Sequence, residues 1–130
     1  TDNKNWTKFI GQTVYGDNFS AEYPNYWSLG SSSRGASTLN YIDCEIVLGA
    51  GGHGLEGSKN IKVEPVKVGD VLGETTTYVW LDDSKKTEFV FTNLSKGNQD
   101  YIFELNDPNK SSKCLDDYKA IINTFKTESK

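Results

Sequence analysis

The chain has no methionine, one histidine, two cysteines and three prolines in 130 residues, and each shortage closes off a class of protein. A single imidazole, His53, leaves no second histidine for a zinc trio. Flanked by glycines, it also has nothing to hold its ring as the base of a Ser–His–acid triad. The stretch Gly51-Gly52-His53-Gly54 lacks the Gly-Lys-Ser/Thr ending of a phosphate-binding loop. The two cysteines, Cys44 and Cys114, are far apart and have no C-x-x-C spacing, which disfavours a metal motif. No apolar run nears the roughly 20 residues of a membrane span. The longest such run is short and sits at Ile46-Val47-Leu48. No cluster of Lys and Arg forms a stripe, and the net charge is −4. Such a surface repels phosphate backbones, so neither nucleic acid nor an anionic membrane is an expected partner. With no methionine even at position 1, we expect a processed chain from which a signal peptide or an upstream lipid or membrane anchor was removed.

Burial must therefore come from aromatic rings. Trp, Tyr and Phe make up 12% of the chain and remove large areas from water when packed. The remainder is rich in Gly, Ser, Thr and Asn, which suits short strands joined by polar turns. The length fits one domain. Residues 1–8 are polar apart from Trp6 and read as a flexible arm or linker remnant, with residues 9–130 as the single domain.

Strands are expected at Thr13–Tyr15 and Phe19–Tyr23, with Gly16-Asp17-Asn18 as the turn between them. Pro24 ends that ladder because it has no donor. Gly30–Gly35 reads as a loop. Residues 38–48 alternate, with Ile42, Cys44, Ile46 and Leu48 on one face, and predict one half-buried strand. A glycine-rich loop, Gly49–Gly57, follows. Further strands are expected at Ile61–Val68, Thr75–Leu81, Thr87–Thr92 and Asp100–Leu105. The short connections predict an antiparallel meander. Near the end the period changes. Leu115, Tyr118, Ile121, Ile122 and Phe125 repeat at helical steps, predicting a helix over 112–126 capped by Ser111 or Ser112. Asp116 and Asp117 are expected as solvated charges in its first turns. Cys44 and Cys114 both fall on apolar faces turned toward a sheet–helix interface, so a disulfide between them is expected.

The string Phe19-Ser20-Ala21-Glu22-Tyr23-Pro24-Asn25-Tyr26-Trp27 resembles the F-S-x-x-Y-P-x-x-W opening of PsbP-like domains. That group includes the extrinsic photosystem II subunit and bacterial and archaeal lipoproteins, and a Ran-binding nuclear import factor shares its fold. The ending Asn123-Thr124-Phe125-Lys126 is similar to a common I-x-x-S-F-K close, with Thr124 replacing Ser. The resemblance spans roughly residues 15–126. It implies an α+β fold, an antiparallel β-sheet with a C-terminal helix packed on it, in an α/β/α sandwich. It makes Tyr23, Pro24, Trp27 and Phe125 structural motif positions, and it implies no single activity. The short length and the cysteine pair depart from the plant subunit, so no photosynthetic role is carried over.

Candidate sites are few. Glycines let backbone amides approach a ligand, which singles out Gly51, Gly52, His53 and Gly54, where an imidazole could also bind an anion or respond to pH. A flexible connection between two strands explains the same loop. Tyr78 and Trp80 share one face of a strand and could form an exposed platform, unless a second helix covers them. The pairs Asp82-Asp83 and Asp116-Asp117 point apart and make no acid/base couple. Asp100, Asn106, Asp107 and Asn109 lack calcium-loop spacing and read as turn chemistry. Sequons fall at Asn5, Asn18, Asn93 and Asn109.

The expectation is a non-catalytic, extracytoplasmic binding or accessory domain from a secreted protein or lipoprotein. It would bind a protein or cell-envelope component, with no cofactor and no metal. A pilin-like structural subunit of a surface filament is the alternative. It would require a long apolar helix upstream, which the precursor sequence would reveal.

Overall fold

A computed structural model describes residues 5–12, 18–31, 37–48, 57–82, 84–85, 87–97 and 99–128. The first strand, β1 (Trp6–Gln12), pairs antiparallel with β2 (Asn18–Pro24). Trp6, Thr7 and Lys8, expected within a polar arm, thus lie in register with Pro24, Tyr23 and Glu22. The strand expected at Thr13–Tyr15 and the residues Gly16 and Asp17 of the following turn lie outside the described residues, and Asn18 opens β2. Pro24 does end β2, and its carbonyl accepts from the Trp27 amide in a tight turn.

Two differences from the expected strands follow. Ser28–Ser31 forms a short exposed strand, β3, where the loop was expected to begin at Gly30. Residues 38–48 are not one strand but a hairpin of β4 (Ser37–Tyr41) and β5 (Cys44–Leu48). Alternation could not reveal the break, because a two-residue turn preserves a period of two. The turn places Ile42 at φ 55 and 81% exposed, so it leaves the apolar face assigned to it. Cys44, Ile46 and Leu48 keep that face and are buried.

The meander runs through β6 (Ser58–Val68), β7 (Val71–Trp80), β8 (Glu88–Lys96) and β9 (Gln99–Asn106), all antiparallel. The last strand returns to pair with β5, closing a seven-stranded sheet in the order β3-β4-β5-β9-β8-β7-β6. Close approach of β7 and β8 depends on Gly73, where a Cβ would stand 2.0 Å from the Asn93 carbonyl oxygen.

Ser111 caps the helix α1 (Ser112–Ile122), accepting from the Cys114 amide. α1 is shorter than the expected 112–126. Asp116 and Asp117 also fall beyond its first turn, which holds no acidic residue. Thr124 explains the early stop. Its hydroxyl donates to the Ile121 carbonyl at 2.7 Å and accepts from the Glu22 amide at 2.7 Å. The chain is thereby turned toward β2, against which β10 (Lys126–Glu128) pairs. Strands β1, β2 and β10 form a second, three-stranded sheet.

The core lies between the seven-stranded sheet and a layer made of α1 and the small sheet. Phe19 is its hub, with ring centroids 5.6 Å from Phe103, 5.9 Å from Phe9 and from Tyr101, and 6.0 Å from Phe125. Phe125 is buried just beyond α1 rather than on it. The architecture is α+β, mostly antiparallel sheet with one C-terminal helix among the described residues.

Candidate functional site

The position of α1 leaves part of the large sheet uncovered. Three ties hold it toward β5, β8 and β9. Cys114 forms a disulfide with Cys44 of β5. The buried Tyr118 hydroxyl donates to the Phe103 carbonyl at 3.1 Å and accepts from the Thr92 hydroxyl at 2.7 Å. Ile121 and Ile122 are buried in the core. Beyond that footprint the β6–β7 hairpin runs on with no helix above it among the described residues, and a groove opens between it and α1.

Two adjoining cavities make up this groove, of about 320 Å³ toward the start of α1 and about 270 Å³ toward its end. Thr75, Thr77 and Val90 form the floor of the larger one. Leu115 and Lys119 wall it from α1, and Lys62 and Glu64 from β6. Glu64, Thr75 and Lys119 line both cavities, so the two are continuous. Strand alternation accounts for the lining, since every second residue of β7 faces α1. Pairing of Thr75 with Thr92 confirms that face, and their hydroxyl oxygens are 2.8 Å apart.

The groove is amphipathic. Lys62 bonds Glu64 at 2.9 Å, and Lys110 bonds Glu88 at 2.9 Å. The Lys62 hydrogen bond, then its charge, holds the Glu64 carboxyl below the usual range, and Lys119 adds in the same direction. Both ion pairs are exposed, and such pairs contribute little to stability. What they provide is a rim of alternating charge around an apolar and hydroxylic floor. Among the described residues, no imidazole or thiol lines either cavity.

Of the expected ligand-binding residues, the structure describes Tyr78 and Trp80. Gly51, Gly52, His53 and Gly54 lie outside the described residues. Tyr78 and Trp80 sit on the opposite face of β7 from the groove. The Tyr78 ring is 4% exposed, stacked on Phe89 and packed edge-on against Trp80 and Phe91. Burial, aided by the Glu104 charge, raises its hydroxyl pKa. Trp80 is only half-buried, so it carries most of the ring surface this pair offers. Cys44 and Cys114 are bonded as expected, and the buried bridge fits an oxidising compartment. Tyr23 and Trp27 are buried, the latter at 2% exposure, and Asp117 receives the Trp27 indole.

Sequence reasoning missed the groove itself. Thr75 and Thr77 fall within the expected strand Thr75–Leu81, and Lys62 and Glu64 within Ile61–Val68, with no role assigned to any of them. Only the breadth of the sheet relative to α1 turns them into a lining. No helix among the described residues is long and apolar enough to cross a membrane. Comparison with known protein families, curated proteins and solved structures returns no match.

Proposed function

We propose that this chain is a non-catalytic binding domain that holds an extended segment of a partner protein along the groove beside α1. The observation that carries this reading is the continuity of the two cavities over the length of α1, with an apolar, hydroxyl-bearing floor and paired charges on the rim. Such a lining suits side chains of mixed character better than one small polar molecule. The reading as non-catalytic draws on the lining of the groove, which among the described residues holds no nucleophile–base pair.

An extracytoplasmic setting belongs to the same proposal and draws on the buried disulfide. Attachment through an upstream lipid or membrane anchor, as in PsbP-like lipoproteins, is consistent with it. Membership of the PsbP-like group is likewise proposed, on the strength of the Tyr23-Pro24-x-x-Trp27 motif and of Phe125, whose side chains pack where a structural role would put them.

Selection from a displayed library of short random peptides tests the reading. Peptides retained by the wild-type chain should be lost by Thr77→Trp, whose indole would occupy the larger cavity, while circular dichroism and melting remain unchanged. Peptides retained equally by both proteins would exclude the groove.

A further inference from the structure

The disulfide has a third neighbour. Asp107, in the connection between β9 and α1, is 8% exposed, and its Oδ1 is buried without a hydrogen-bond partner. A carboxylate oxygen so placed is costly unless something compensates its charge. A ligand oxygen of Asp107 and the Sγ atoms of Cys44 and Cys114 all lie within 4.8 Å of one another. A cavity of about 110 Å³ adjoins them, lined by all three and by Asn109, Ser111 and Lys113.

We infer that when the disulfide is opened, Cys44, Cys114 and Asp107 form a binding site for a thiophilic divalent cation of the zinc class. Two thiolates and a carboxylate are a donor set that zinc accepts, and the cavity leaves room for a water as the fourth ligand. At a zinc–sulfur distance of about 2.3 Å in tetrahedral geometry the two sulfurs stand about 3.8 Å apart. The sulfurs therefore separate by side-chain rotation while their backbones stay near the observed Cα–Cα distance of 6.5 Å.

A dithiol reductant gives two electrons and two protons to the S–S bond, which breaks to two thiols as the reductant closes to its own disulfide. Cation binding then releases both thiol protons to solvent. The filled site carries one net negative charge. One feature of its surroundings favours that sign. Cys114 lies in the first turn of α1, at the positive end of the helix dipole, with its amide bonded to Ser111 Oγ at 3.3 Å. Lys113 lines the same cavity as Asp43 does, so its positive charge, shared with Asp117 at 3.7 Å, offsets the nearby carboxylate. The oxidised protein offers no thiolate, so the cation and the disulfide exclude each other.

Cobalt(II), a spectroscopic stand-in for zinc, provides the test with the full chain. Phosphine-reduced, oxygen-free protein should take up one cobalt with the near-ultraviolet band of thiolate ligation. Oxidised protein should show no such band. Asp107→Asn, reduced, should bind at least about tenfold more weakly. Because reduction could loosen the fold, melting is followed in parallel, and zinc should raise the melting temperature of reduced protein but not of oxidised protein. Equal cobalt affinity in the Asp107→Asn variant would overturn the site, as would reduced protein whose melting zinc leaves unmoved.

Discussion

The Trp27 indole donates to the Asp117 carboxylate at 3.0 Å, and the Tyr26 hydroxyl donates to the same oxygen at 2.7 Å. The turn after β2 is thus fastened to the outer side of α1. Lys113 completes the arrangement, donating to the Tyr26 hydroxyl at 2.8 Å and lying over its ring at 4.5 Å. Asp117 was expected as a solvated charge, yet it holds two elements together. Asp117→Ala should lower unfolding free energy by about 2 kcal/mol, since hydrogen bonds to a charged acceptor are the stronger kind. Trp27→Phe should cost part of that through the indole bond alone. Urea denaturation of both variants checks the order, and an unchanged midpoint for Asp117→Ala would contradict the fastening.

Tyr118 links α1 to two strands through one buried hydroxyl. Burial pushes its pKa well above the ordinary value. The proton is therefore held more tightly in the folded chain than in the unfolded one. Its contribution is complete below the unfolded value of about 10 and declines as pH rises above it. Wild-type stability should fall above about pH 10, and Tyr118→Phe should flatten that fall. At neutral pH the same variant should lose about 1–2 kcal/mol through the bonds lost to the Phe103 carbonyl and to Thr92, which keeps its bond to Thr75. Thermal unfolding across pH 7 to 11 measures both effects.

Ile42 adopts φ 55 in the turn between β4 and β5. A β-branched residue is strained in that region, by roughly 1–2 kcal/mol. Asparagine tolerates it, so Ile42→Asn should raise stability by about 1 kcal/mol. The side chain is exposed, so no core contact is forfeited. A lower melting temperature would contradict the strain.

Gly73 shows the opposite constraint. An added Cβ would run into the Asn93 carbonyl, a backbone atom that cannot move without parting β7 from β8. Gly73→Ala should cost more than about 2 kcal/mol, and urea unfolding will read it directly.

The fold was legible where periodicity and burial coincide. The face of α1 and the pairing of Cys44 with Cys114 follow from apolar spacing, and the meander from β6 to β9 from its short connections. Legibility failed where a turn keeps strand phase, as at Ile42-Asp43, and where one hydroxyl decides a boundary, as Thr124 does at the end of α1. Residues 6–8 looked like an arm because Lys8 and Thr7 are polar, but both side chains stay exposed while their backbone pairs with β2. The groove was not legible at all, because it results from the mismatch in breadth between the sheet and one helix.

The groove beside α1, proposed as the binding surface, can be mapped residue by residue. Amide chemical-shift mapping with a peptide selected on the wild-type chain tests it most directly. The prediction is that shifts concentrate at Thr75, Thr77, Leu115 and Lys119, with Phe89 and Trp80 on the opposite face unmoved. Shifts concentrated at Trp80 and Phe89, with the groove residues silent, would contradict it.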